Sequence, residues 1–291
     1  MITVNEYYNK LFGEKVYKIS LAGGHTCPNR DGTKGFGGCI FCSTSGSGDF
    51  VPHPSLPINE QIDLATQKVK AKGAKKYIAY FQSFTATYLP PEVLREKLDC
   101  AYGREDVVGV SVATRPDCLP EDILDMLEAY SRIKPTWVEL GLQTANDKTA
   151  VYINRCYPTQ VYIDAARELN KRNIPFVTHI ILGLPNETEE DMVNTVKLAV
   201  ECKTQGIKLQ LLQILSDSPL KEEYLKGNVH PMEEDEYYSL LRKLLSLLPE
   251  DTVVHRLTGD GSKKTLLAPL WCGDKKRALN KINALLKSLR Q

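Results

Sequence analysis

Apolar residues recur along the chain with two periods that take turns. Short runs at Val16–Leu21, Lys76–Phe81, Val107–Ala113, Trp137–Leu142, Pro175–Leu182 and Ile207–Leu215 are rich in β-branched and aromatic residues and predict strands. Between them, Ile58–Ala71, Pro91–Tyr102, Glu121–Ile133, Gln160–Arg172 and Glu187–Thr204 carry apolar residues at helical spacing. Several of these open on "LPPEVL", "LPEDIL" or "PNETEEDM". Such openings put Pro or acidic side chains in a first turn, where unpaired N–H groups lie. Strands alternating with helices predict a parallel sheet with right-handed crossovers. The units run out near residue 215, short of a closed eight-unit barrel. The expected fold is therefore α/β, an open (β/α)6 barrel; a doubly wound open sheet shares the same periodicity. The core is expected over 1–225 and a C-terminal extension over 226–291. That extension should hold a helix at Met232–Leu248 and a short apolar stretch at "TVVHRL". A last amphipathic helix would carry Ala278, Ile282, Leu285, Leu286 and Leu289 on one stripe.

Polar residues interrupt the strands on one face. In "VELGLQT", Val138, Leu140 and Leu142 alternate with Glu139, Gly141 and Gln143. One face can pack on helices while the other turns a carboxylate, a gap and an amide inward. In "GVSVATRPD", Ser111, Ala113 and Arg115 share a face, and Pro116 should end the strand. The Arg115 guanidinium could then reach over the rim toward a carboxylate, or make a surface salt bridge. His179, with Ile181 and Gly183 on its face, points into a cavity or is a satisfied core residue. A barrel interior is ordinarily filled by branched apolar side chains, so an inward polar row suggests a ligand cavity.

Composition narrows the class. Of 291 residues, 42% are apolar and 25% charged, with a net charge of +1, so an anionic partner needs a local basic patch. Residues 263–291 supply one, with eight Lys or Arg against the single acid Asp274. A solvated helix face would show the same pattern. No stretch approaches the ~20 apolar residues of a membrane span, and "MITVNEYYNKLFGEKVYK" is polar throughout, so the cytoplasm is the expected location. Of eight cysteines, Cys27, Cys39 and Cys42 cluster in "CPNRDGTKGFGGCIFC", directly after the first long strand. The rest are scattered and read as small apolar residues. Three thiolates can hold three irons of a [4Fe–4S] cluster and leave the fourth open. A Cys3His zinc site with His25 or His53 satisfies the same spacing.

The loop, with eleven residues between its first two cysteines, resembles that of the YtqA/YhcC-like radical S-adenosylmethionine (SAM) family, related to the elongator-type subgroup. The likeness continues through "TRPDCLP", "WVELGLQTANDKT", "ILGLPNET", "HRLTGD" and "LLAPLW". The resemblance implies a partial (β/α)6 radical SAM barrel. Cys27, Cys39 and Cys42 would hold the cluster, whose open iron would chelate SAM, and reductive cleavage would yield a 5′-deoxyadenosyl radical. Phe41 would pack near adenine, Gln82, Ser83 and Thr85 would hold the SAM amino group, and Gly183 would lie in a turn near adenine. Ser111, Arg115, Glu139 and Gln143 complete the expected cofactor contacts. Arg155 in "INRCYPT" and Gln213 in "LQLLQIL" fall on the substrate side, where this chain departs from the elongator-type pattern. The implied substrate is tRNA: an MnmL-like step would trim a wobble-uridine carboxymethylaminomethyl group to aminomethyl. An electron donor such as flavodoxin or ferredoxin would be needed.

Overall fold

The structure, a computed structural model, describes residues 1–46, 48, 50–259 and 263–290. Asp260 of "HRLTGD" and the terminal Gln291 lie outside the described residues. The chain runs β1 (Ile2–Thr3), α1 (Val4–Phe12), β2 (Val16–Leu21), α2 (Ile58–Lys70), β3 (Lys76–Phe81), α3 (Pro91–Tyr102) and β4 (Val107–Thr114). It continues with α4 (Glu121–Ser131), β5 (Thr136–Gln143), α5 (Asp147–Tyr152), α6 (Thr159–Lys171), β6 (Phe176–Leu182), α7 (Glu189–Glu201) and β7 (Gly206–Leu211). Then follow β8 (Ile214–Leu215), α8 (Leu220–Leu225), α9 (Glu234–Leu245), β9 (Val253–Arg256), β10 (Leu266–Ala268) and α10 (Lys275–Ser288).

The main sheet has the order β1-β9-β7-β6-β5-β4-β3-β2, and every pairing in it is parallel. From β2 to β7 each strand neighbours the next in sequence. A doubly wound sheet reverses its order at a switch point; here none occurs, and the sheet curls as an open barrel. The predicted strand over Ile207–Leu215 is broken. β7 ends at Leu211, and Ile214–Leu215 pairs instead with β10 in a separate two-stranded sheet. "TVVHRL" forms β9, so the segment expected to pack on the core also adds a strand to its sheet. β1 had no counterpart in the sequence reading, because two residues have no periodicity and the strand exists only through its partner β9.

Faces follow from alternation. Val138, Leu140 and Leu142 of β5 join the large core under the helices, together with Ile180 and Leu182 of β6 and Leu209 and Leu211 of β7. At the N-terminal end of the barrel, Trp137 meets Tyr8 from α1, with ring centroids 5.7 Å apart, beside Val16 and Ile78. Helix α1 packs against β1, β2 and β9, and so bridges the two unpaired sheet edges. Its first turn is fixed by a reciprocal cap between Thr3 and Glu6.

Leu142 is fully buried on the outer face, one residue before the inward Gln143. Leu142→Ala should cost about 2–5 kcal/mol in denaturant unfolding, the usual range for a large-to-small core change. A loss below ~1 kcal/mol would contradict the face assignment.

Candidate active site

The cysteine loop emerges at the C-terminal end of β2 and is tied down on two sides. Asn154 Nδ2 donates to the carbonyls of Phe36 (3.1 Å) and Gly38 (2.8 Å), and the Ile40 N–H reaches Ile153 O at 3.1 Å. Asn29 Nδ2 donates to Asn154 O at 2.5 Å and approaches Cys39 Sγ at 3.6 Å. Arg30 donates to Ser43 O at 2.6 Å and lies over the Phe84 ring, 5.3 Å from its centroid. Gly38 has φ 83°, and a Cβ there would come within 2.9 Å of the Arg30 side chain, so this close fold needs glycine.

Cys27, Cys39 and Cys42 are half-buried, form no disulfide, and all line one cavity of about 600 Å³. Burial pushes the Cys39 thiol up to about 12, and Cys42 adds to the effect, so binding a metal there releases a proton. Among the described residues, no three His, Cys, Asp or Glu side chains gather closely enough for a single metal ion. Of the histidines weighed for a zinc site, His25 gives Nε2 to Ser83 O at 2.5 Å and keeps a buried Nδ1 without a hydrogen bond, and His53 Nδ1 meets Ser55 Oγ at 2.7 Å. Thiols spread around a roomy cavity suit a polynuclear centre, where each thiolate takes its own iron.

Phe41, Gln82, Thr85, Arg115, Glu139, Gln143 and His179 line that same cavity. Ser111, Ser83 and Gly183 do not. Ser111 Oγ donates to Glu139 Oε1 at 2.8 Å, inside the barrel. Ser83 is buried, with its carbonyl on His25. Gly183, at φ 82°, gives its N–H to Met192 Sδ at 3.2 Å and lies near Met232. Arg115 does not reach over the rim. It is buried and holds Asp117 with two bonds of 2.9 and 2.8 Å, stacked 4.8 Å from the Tyr157 ring. Arg155 is fully buried and ties the end of β5: its Nη1 donates to Leu142 O and Thr144 O at 2.6 Å each. Its backbone neighbours hold the cysteine loop, so "INRCYPT" positions the site. Gln213 lines the cavity and donates to Cys272 Sγ at 3.1 Å.

Glu139 sits at the centre of the barrel rather than its rim. Lys18 from β2 reaches Glu139 Oε1 at 2.5 Å, and His179 from β6 reaches Oε2 at 2.6 Å. Lys208 from β7 pairs with the same Oε2. Burial works against the Glu139 charge, but Lys18 and Lys208 outweigh it and hold the carboxyl well below its usual range. Burial brings Lys208 down to about 7 against the pull of Glu139, and lowers His179 to about 4. Both lysine ammonium groups lie over the Tyr80 ring, at 4.8 Å for Lys18 and 4.6 Å for Lys208. The sequence reading missed both lysines. "VYKISL" and "IKLQL" alternate as "VELGLQT" does, and the same test would have turned Lys18 and Lys208 inward.

In α10, Ala278, Ile282 and Leu285 are buried as the stripe predicts. The basic face is less free than its composition suggested. Arg277 and Lys281 pair with Glu234, and Arg290 pairs with Glu6. Lys275 lies 5.1 Å from the centre of the Phe50 ring and lines the cysteine cavity with Lys68 and Lys72. No helix among the described residues is long and apolar enough to cross a membrane.

Comparison with known proteins fits this arrangement. The family model of the Radical SAM superfamily matches residues 23–199, and that of the Radical_SAM C-terminal domain matches residues 204–288. The chain belongs to the radical SAM superfamily, whose enzymes use a [4Fe–4S] cluster and SAM. Within it, the chain is 42% identical to YtqA of Bacillus subtilis, over 98% of this chain and 89% of that protein. It is 38% identical to YhcC of Escherichia coli K12, over 90% and 84%. A shorter match, 38% over 31% of this chain and 21% of the other, is to a tRNA-2-methylthio-N(6)-dimethylallyladenosine synthase of Ehrlichia canis. Among solved structures, the fold is shared with the archaeal Methanocaldococcus infernus Elp3, with TM-score 0.66 at 17% identity. That superposition covers 87% of this chain and 58% of the Elp3 chain.

Glu187, in the turn after β6, accepts a hydrogen bond from Thr144 Oγ1. Burial lifts its carboxyl from 4.5 to about 7, with Asp191 adding to the shift. The folded state therefore prefers the protonated form. The stability this contributes is complete below about 4.5 and is lost as the pH rises through about 7. Glu187→Gln should flatten the stability–pH profile in that window and be the more stable form at pH 8. Parallel profiles for the two proteins would contradict the assignment.

Proposed function

We propose that Cys27, Cys39 and Cys42 hold the [4Fe–4S] cluster, and that SAM lies between it and the inward face of β3–β6. The cluster, when bound, supplies the electron that cleaves SAM to methionine and a 5′-deoxyadenosyl radical. Gln82 and Thr85 offer polar groups to the SAM amino acid part. Phe41 offers an apolar surface beside adenine, and Gln143, steadied by a 3.0 Å bond from Tyr157, offers an amide to the ribose. Arg115 acts through Asp117 and Tyr157 as a positioning residue. Ser83, Ser111 and Gly183 shape the walls behind these groups.

The substrate is tRNA, and the reaction is the MnmL-like trimming of a wobble-uridine carboxymethylaminomethyl group to aminomethyl. One observation carries this reading furthest. Arg30, Lys68, Lys72 and Lys275 line the same cavity as the cluster thiols, on a chain whose net charge is only +1. A polyanion is thus favoured where the radical forms. The match to a tRNA-modifying synthase and the shared fold with Elp3 support it. An electron donor of flavodoxin or ferredoxin type completes the system.

Anaerobically prepared protein should be brown and carry about four irons per chain. Cys27→Ala, Cys39→Ala and Cys42→Ala should each lose the iron, and Cys100→Ala should keep it. Stoichiometric zinc without visible absorbance would contradict the cluster assignment. For the substrate, mass spectrometry of tRNA nucleosides from cells lacking the protein should show carboxymethylaminomethyluridine accumulating and its aminomethyl product missing. An unchanged nucleoside profile would exclude the tRNA reading and leave a small-molecule or protein substrate.

A further inference from the structure

The cysteine cavity reaches Glu139 at the centre of the barrel. Below it, at the seam bridged by α1, lies a second compartment of about 430 Å³. Lys18, Ser20, Tyr80, Gln82, Lys208 and Arg256 line both. The two spaces therefore share a wall at the charged centre of the barrel. Tyr8, Tyr17 and His255 add to the wall of the lower one.

Among the described residues, basic side chains outnumber acidic ones at this junction, where Arg256 lies beside the two lysines. One carboxylate, Glu139, serves two ammonium groups, Lys18 and Lys208. The histidines beside it stay neutral and add no charge: burial lowers His179 to about 4 and His255 well below the ordinary histidine range. Burial brings Lys208 down to about 7 even with Glu139 beside it, and a negative ligand next to the two lysines would favour their charged forms. Tyr80 presents its ring to both lysines and its hydroxyl to Lys208 at 3.2 Å, which holds the two ammonium groups toward one space.

We propose that this junction binds an oxyanion of the substrate. Resting on the wobble-uridine reading, that oxyanion is the terminal carboxylate of the modified base. A backbone phosphate carries chain on both sides, whereas a terminal carboxylate needs space only for its own stem. Held by Lys18 and Lys208, the carboxylate anchors the far end of the side chain beneath the cavity in which SAM binds. The junction then selects uridines that still carry the carboxymethyl group and releases the trimmed product.

The test has two arms on the holoenzyme. In the first, crystals soaked in sodium bromide should show anomalous density between the Lys18 and Lys208 ammonium groups, and none there in Lys208→Gln. In the second, affinities are measured with SAM present and no reductant, for tRNA bearing carboxymethylaminomethyluridine and for the same tRNA bearing aminomethyluridine. Wild type should prefer the carboxylated tRNA by at least about tenfold, the effect of one charge-assisted hydrogen bond. Lys208→Gln should lose the preference and Lys208→Arg should keep it, which separates lost charge from lost folding. Absence of bromide at the junction, or a preference that survives in Lys208→Gln, overturns the proposal. If Lys208→Gln weakens both tRNAs equally, the junction holds a backbone phosphate and the carboxylate assignment is wrong. A bromide site in a wild type that does not distinguish the two tRNAs also overturns it. Conversion of the uridine, followed by nucleoside mass spectrometry, reports on the wobble-uridine reading independently of either arm.

Discussion

One buried carboxylate holds the barrel together from inside. Glu139 on β5 takes bonds from Lys18 on β2, Ser111 on β4, His179 on β6 and Lys208 on β7. Five strands of an open barrel thus meet at one side chain, at the level where a closed barrel would be filled by branched apolar residues. An open barrel has a seam to stabilise and a cavity to keep. Apolar filling would serve the first need and abolish the second. A charged centre serves both, provided that each charge has a partner when substrate is bound. It is costly in the empty enzyme, because burial works against the charges of Glu139 and Lys208.

Above that centre, the site is built by loops fastened to one another. The cysteine loop has little regular structure of its own. Asn154 and Ile153 supply its partners, and Arg155, next in sequence, locks the carbonyls that end β5. Lys34 of the same loop reaches Asp117 at 3.0 Å, the residue that also grips Arg115. If Cys27, Cys39 and Cys42 hold the cluster as proposed, this fastening would keep their spacing without a fourth ligand and leave one iron open. The basic residues collect at the mouth, beyond these fastenings.

Much of this was legible in the sequence because period and alternation are local. β2 and β3 and helix α3 begin and end where their residue patterns do. The inward Glu139 and Gly141 also follow from alternation, whereas Gln143 comes after a register shift and has φ 61°. What could not be read was pairing. For Arg115 the sequence left open a reach over the rim or a surface salt bridge, and the partner, Asp117, meets it only through a turn after the strand. Arg277 and Lys281 looked outward until Glu234, in another helix, came beside them. Lys18 and Lys208 are ordinary surface residue types, and only closure of the barrel around Glu139 makes them interior. The broken strand at Leu211 arises because Ile214–Leu215 has a better partner in β10, some fifty residues further along.

The central claim is that the charges at Glu139 are kept for function and depend on one another for stability. Denaturant unfolding of wild type, Glu139→Gln and the triple variant Lys18→Met/Glu139→Leu/Lys208→Met tests it directly. Glu139→Gln removes the carboxylate that Lys18 and Lys208 share and should lose about 3–5 kcal/mol, and the triple variant should regain most of that loss, as apolar replacements of buried ion pairs do. A Glu139→Gln protein within ~1 kcal/mol of wild type, or a triple variant less stable than the single one, would contradict the account.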